Sequence, residues 1–286
     1  MSLDRDELRF ALESTARSTG FSPMLIEKDY HCSLLLKTFY EAELVREKVL
    51  FKGGTLLAKA HSAFERLSED LDFAVINAHC ASRGERRRVA AIVGSELSRC
   101  AEVPPFLGVK SDWIGHNNST QYTASLAYET FDGLSGTILF EVGFRGDMLE
   151  DPETVPVRTL LIDPFSRLEV LKPFLVTALS KHEAFAEKVR AALTRREPAI
   201  RDWYDVTQAL RANSWMRERP FLSLVKQKLA AQPTVDLRCT KETKEILRAQ
   251  IESDLRPVLR ESAIQQFSFD EAWDAVIMLH RMVVDG

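Results

Sequence analysis

The sequence predicts an α+β fold: a small mixed sheet flanked by helices, followed by a C-terminal helical bundle. Three observations carry this. Strand-like and helical runs interleave through the first half of the chain. Pro152, Pro156, Pro164 and Pro173 then punctuate a loop-rich stretch. From Ser180 to the end nearly every segment has a helical period. A soft boundary near residue 165 divides the chain into an N-terminal core, 1–165, and a helical domain, 166–286.

The elements follow in order. Leu8, Phe10, Ala11 and Leu12 mark a first helix. A second begins after Ser22-Pro23, where serine can cap and proline suits the first turn. A strand at about Lys48 to Phe51 ends at Gly53-Gly54, and Thr55 to Phe64 reads as helix. Leu71 to Ile76 is a second strand. Arg83 to Cys100 is a long amphipathic helix with Val89, Ala90, Ile92, Val93 and Leu97 apolar. Three further strands are expected at Leu107–Ile114, Gln121–Tyr128 and Thr137–Phe144, with Gly133 and Gly136 in the last hairpin. The C-terminal helices are Lys181–Thr194, Ile200–Ala212, Pro220–Ala231, Lys241–Ser253 and Asp270–Val284.

Composition excludes several function classes. A formal charge of −4 rules out a wholly basic nucleic-acid binder but leaves room for a local basic patch. No apolar run is long enough to span a bilayer. The opening MSLDRDELRF lacks the basic-then-apolar pattern of a secretory leader, so a cytoplasmic protein is expected. Cys32, Cys80, Cys100 and Cys239 are widely scattered, which fits reduced thiols. The histidines lack metal spacing. His31-Cys32 and His79-Cys80 are adjacent, poor geometry for one shared zinc, and read as structural.

The densest chemical signal is Ser68-Glu69-Asp70-Leu71-Asp72-Phe73. On a strand, residues two apart share a face, so Asp70 and Asp72 point together. Two neighbouring carboxylates repel unless a cation lies between them. Magnesium suits such a pair, since it takes one or two carboxylates together with substrate phosphates. Taken alone, Asp-x-Asp is more often a solvated acidic turn. Its context matters. Val49-Leu50-Phe51-Lys52-Gly53-Gly54-Thr55 is a strand running into a glycine turn and a helix start. Glycine allows close backbone approach, and helix-start amides favour an anion such as a triphosphate. Thr55 adds a hydroxyl. A short helix then returns the chain beside the first strand, so glycines and carboxylates meet at one sheet edge.

Glu27-Lys28-Asp29-Tyr30, then Phe51-Lys52-Gly53-Gly54-Thr55-Leu56 through Glu65-Arg66-Leu67-Ser68-Glu69-Asp70-Leu71-Asp72, then Ala186-Glu187-Lys188-Val189-Arg190-Ala191, Arg195 and Arg201-Asp202-Trp203-Tyr204-Asp205 occur in order. With these the chain resembles the DNA polymerase β-like nucleotidyltransferase superfamily. More narrowly, it resembles the AbiEii/AbiGii toxin family, which includes the MenT toxins. The likeness spans roughly residues 20 to 210. It departs from the superfamily in having Thr55 where serine is common.

The resemblance implies an enzyme of EC 2.7.7 type that moves a nucleoside monophosphate from an NTP to a hydroxyl. It implies Asp70, Asp72, Lys188 and Asp202 as catalytic residues. Gly53, Gly54, Thr55, Ser68, Lys188 and Arg201 would bind the nucleotide. Magnesium or manganese would be held by Asp70 and Asp72, with Glu141 on a later strand as third carboxylate. Lys188 would hold the triphosphate, Asp202 would orient it or help deprotonate the acceptor, and Asp205 shares that helix face. The helical domain would complete the active site. Lys28 and Asp29 contact the site, brace the glycine turn, or have a purely structural role in their helix. The implied acceptor is RNA, the 3′ end of tRNA, and the implied role is toxin of a toxin–antitoxin or phage-defence system, with a cognate antitoxin. The alternatives are nucleotidylation of a protein or small molecule, or a non-catalytic nucleotide-binding module. Arg83, Arg86, Arg87 and Arg88, with Arg195 and Arg196, could track an RNA backbone or form solvated faces.

Overall fold

The computed structural model describes residues 3–62, 64–76, 82–144, 148–231 and 239–285. His79 and Cys80, read above as structural, lie outside them. The chain divides into two compact units, Met1–Leu179 and Ser180–Gly286.

The first unit opens with α1 (Arg5–Thr19), capped by a reciprocal Asp4–Glu7 box, and α2 (Pro23–Phe39), capped by Ser22 with Pro23 in its first turn. A short α3 (Glu43–Lys48) leads into strand β1 (Val49–Lys52). The turn α4 (Gly53–Leu56) widens into a π-helical segment, Leu57–His61, before β2 (Asp70–Val75). Then come α5 (Arg83–Ala101), β3 (Phe106–His116), β4 (Gln121–Glu129) and β5 (Ser135–Gly143). Two strands follow that sequence reading missed, β6 (Glu153–Val157) and β7 (Phe174–Ala178).

All seven strands form one mixed sheet, in the order β3-β4-β5-β2-β1-β7-β6. β2 runs antiparallel to β1 and parallel to β5. The expected loop around Pro156 is therefore a strand. Proline cannot donate to a ladder, and Pro156 is tolerated because β6 lies at the sheet edge. β7 pairs with β1 through Phe51 and Ala178, so Phe174–Ala178 belongs to the sheet. The boundary moves accordingly from residue 165 to Leu179/Ser180.

Side-chain alternation divides the sheet into two faces. Phe51, Leu71, Phe73, Phe140 and Val142 are fully buried on one of them. Phe39 of α2 packs there, with ring centroids 5.2 Å from Phe73 and 4.9 Å from Phe140. The opposite face carries Lys52, Asp70, Asp72 and Glu141, none of them fully buried. One strand face thus makes core while its reverse is left polar.

The second unit contains α6 (Lys181–Thr194), α7 (Ile200–Ala212), α8 (Arg219–Ala230), α9 (Lys241–Gln250), α10 (Glu261–Gln266) and α11 (Phe269–Asp285). Trp203 of α7 stacks flat on Trp273 of α11, centroids 4.8 Å apart. α9 ends earlier than its periodicity suggests, because Ile251–Leu255 widens into a π turn.

α6 and α8 are joined by buried charge. Lys228 pairs with Glu183 and, at 3.1 Å, with Glu187, which also holds Arg190 at 2.7 Å. Burial alone would push the Glu187 carboxyl up, but Arg190 and Lys228 outweigh it and hold the group below its usual range. The folded carboxyl therefore ionises at lower pH than the unfolded one. Its contribution is full above the unfolded value of about 4.3 and is lost as pH falls through the lower, folded value. Glu187→Gln is expected to lower Tm by about 2–4 °C at pH 7, the shift for roughly 1 kcal/mol in a chain of this size. The gap to wild type should close as thermal melts are repeated toward pH 3.

Candidate active site

The site is built where β1 hands over to the glycine turn. Gly53 has φ +80°, a conformation that side chains disfavour. A methyl group there would overlap the Asp72 carboxylate, so Asp72 rests directly on this glycine. A methyl group on Gly54 would lie 2.7 Å from Arg66 Nη2 and 3.0 Å from Ser68 Oγ. The helical segment starting at Gly53 has no side-chain cap. Gly53→Ala is therefore expected to cost about 1–2 kcal/mol from backbone strain alone and to displace Asp72. Thermal unfolding and a nucleotide-transfer assay, run together, would register both losses.

Strand register sets the carboxylates. Asp72 is paired across the ladder with Lys52 on one side and Glu141 on the other, and Asp70 with Leu139. Asp70, Asp72 and Glu141 thus share one polar face on adjacent strands. Lys52 reaches over this face, its Nζ 4.0 Å from where a methyl group on Gly143 would sit. Sequence reading passed over Lys52; its place directly before the glycine pair was the available signal. Among the described residues, no three His, Cys, Asp or Glu side chains converge tightly enough to hold a metal ion alone. Two carboxylates that leave the remaining positions to phosphate oxygens and water fit magnesium's habits.

Thr55 has a different place from the one expected. It is 1% exposed, and its hydroxyl donates to the Asp70 carbonyl. That bond ties the glycine turn to the carboxylate strand, so the hydroxyl is committed to the scaffold instead of facing a phosphate.

Of the three readings left open for Lys28 and Asp29, the contacts of both side chains favour bracing. Lys28 pairs with Glu69 at 3.2 Å, one residue before Asp70. Asp29 holds Lys59 at 2.6 Å, with both side chains essentially out of solvent. Lys59 also donates to Ser33 Oγ at 2.6 Å, and the second Asp29 oxygen accepts the Leu160 N–H at 3.3 Å. Glu27 accepts the Phe131 N–H at 2.5 Å. α2 thereby fastens both the segment after the glycine turn and the chain entering β2. The Cys32 thiol, pushed up to about 12 mainly by burial, is unreactive packing.

In the helical unit, Lys188 contacts Asp202 at 2.9 Å and Asp205 at 3.1 Å, and is mostly buried. Asp202 is 3% exposed, and its other oxygen lies 3.1 Å from Arg195 Nη1 without an aligned hydrogen bond. The expected trio is thus a real cluster, with Arg195 as its fourth member. Arg201 is half-buried on the same helix. Arg195 and Arg196 also line an open hollow of about 500 Å³. At the start of α5, Arg83, Arg87 and Arg88 are exposed, and Arg86 donates to the Ser119 carbonyl.

The glycine turn and the paired aspartates thus meet on one polar face of the mixed sheet. The family model for the AbiEii nucleotidyl transferase toxin, type IV toxin–antitoxin system, matches residues 34–278, and the chain belongs to that family. Its fold is similar to that of MenT4, a nucleotidyltransferase toxin from Mycobacterium tuberculosis H37Rv, with TM-score 0.58, 21% identity and 99% of each chain covered. No curated protein sequence matches the chain. No helix among the described residues is long and apolar enough to cross a membrane.

Proposed function

We propose that the protein transfers a nucleoside monophosphate from an NTP to an RNA hydroxyl, with the 3′ end of tRNA as acceptor. We infer that this cytoplasmic activity is the toxic one, neutralised by a cognate antitoxin. The observation that carries the reading is the shared face of Asp70, Asp72 and Glu141 beside the Gly53-Gly54 turn. The acceptor hydroxyl releases its proton to water as its oxygen bonds to the α-phosphorus, the bond to the β-phosphate bridging oxygen breaks in line, and pyrophosphate leaves. The backbone of Gly53 and Gly54 lets the triphosphate approach closely. Ser68 lies against the same turn and offers its hydroxyl. Lys52 supplies positive charge over the carboxylate face. Asp70 and Asp72, with Glu141, would hold magnesium or manganese, which supplies charge stabilisation and polarises the phosphate. Within the helical unit, Lys188, kept oriented by Asp202, and Arg201 are the cations on offer to a phosphate.

The test incubates purified protein with Mg²⁺, each α-labelled NTP and total tRNA. Label in the RNA band supports the reading. Label on protein or on a small molecule would replace the acceptor, and NTP binding without transfer to any acceptor would leave a binding module.

A further inference from the structure

The first unit holds a cavity of about 450 Å³ that shares no lining residue with the carboxylate face. Its walls come from α1, α2, the chain entering β3 and the β4–β5 turn, with Leu8, Tyr30, Leu34 and Phe131 among them. The volume falls in the range that encloses small ligands, and the lining is largely apolar with a few polar groups, as such sites require.

His31 forms part of this wall and is 1% exposed. It packs on Tyr128, ring centroids 4.2 Å apart. Neither ring nitrogen has a hydrogen-bond partner, and Glu27 Oε1 is 3.8 Å from Nε2, too far to serve as one. Buried polar groups are nearly always satisfied, so an imidazole left without a partner beside a cavity points to a group that the cavity receives. Charge narrows the class. Of the two cations lining the cavity, Arg5 is neutralised by Glu129 at 2.9 Å. Lys37 has no acidic partner among the described residues. The lining therefore carries one uncompensated positive charge.

We propose that this pocket binds a small apolar carboxylate. Its flat body packs against Leu8, Leu34 and Phe131, and its carboxylate meets Lys37; both His31 nitrogens are covered in the unliganded chain, so a hydroxyl or amide on the ligand pairs with one of them as the ring turns toward the cavity. The site lies apart from the nucleotidyl-transfer face and does not rest on that reading. It shares α2 with the brace, so an occupied pocket and the fastened glycine turn are served by one helix.

The probe is 6-hydroxy-2-naphthoate, followed by its own fluorescence on titration into the full-length protein, with 2-naphthol as the neutral control. Saturable binding is expected, weakened about tenfold by Lys37→Ala, the scale of one charge-assisted contact. Leu8→Trp, which fills the cavity, should abolish it. Both side chains are at least partly exposed, and circular dichroism would check that the variants fold. The proposal is overturned by no saturation up to about 1 mM, the range of a very weak ligand, or by binding that both variants leave unchanged. Equal affinity for 2-naphthol, insensitive to Lys37→Ala, would instead indicate a pocket for a neutral apolar group and would also overturn it.

Discussion

Replacing Asp72 by asparagine is expected to cut nucleotide transfer roughly 10²- to 10³-fold, the usual scale for losing one group that stabilises charge in the transition state. The fold should survive. Asp72 is only half-buried, and asparagine keeps its shape while removing one of three negative charges on a shared face. Removing like-charge repulsion there should leave Tm unchanged or slightly higher. Asp70→Asn should behave the same way, and Glu141→Gln asks whether the third carboxylate matters as much as the other two. Steady-state rates with labelled NTP, read beside thermal melts, separate the effects. A folded Asp72→Asn protein with wild-type turnover would place the chemistry elsewhere.

The second large effect concerns stability. Asp29→Ala is expected to cost about 3–5 kcal/mol, because it leaves the Lys59 ammonium buried without its counter-charge. The Leu160 N–H loses its acceptor as well. Against a total stability of about 5–15 kcal/mol, this is a large share. The double variant Asp29→Leu with Lys59→Met should recover much of the loss, since an apolar pair of similar volume avoids the desolvation of both ions. Urea unfolding of Asp29→Leu, Lys59→Met and the double variant closes the cycle. Equal midpoints for Asp29→Ala and wild type would show that the pair braces nothing.

Much of the polar face could be read from the chain, because a strand's alternation puts Asp70 and Asp72 together without any tertiary knowledge. Helices α6 and α7 were legible to the residue, since each carries a long, clean amphipathic period. β6 and β7 were not, because five-residue strands flanked by prolines look like loop until an edge position explains Pro156. The Asp29–Lys59 pair was also hidden. Its partners are thirty residues apart, and helix positions alone do not say which side chains meet. The role of Thr55 turned on burial, which a hydroxyl's mere presence after two glycines does not reveal. Lys52 illustrates the reverse case: its position was visible, but its reach across β2 needed the register.

The two margins of the sheet bear on how copies of this protein behave when crowded. An open strand is a template on which a second chain can add, and from there a fibre can grow. At one margin, β6 is short and carries Pro156, which offers no donor to an incoming chain. At the other, β3 is long but breaks register three times along its length and displays Lys110 and Asp112 to solvent. Neither rim presents the flat, regular row of amides that recruitment needs. These irregularities favour a protein that stays dispersed as its concentration rises.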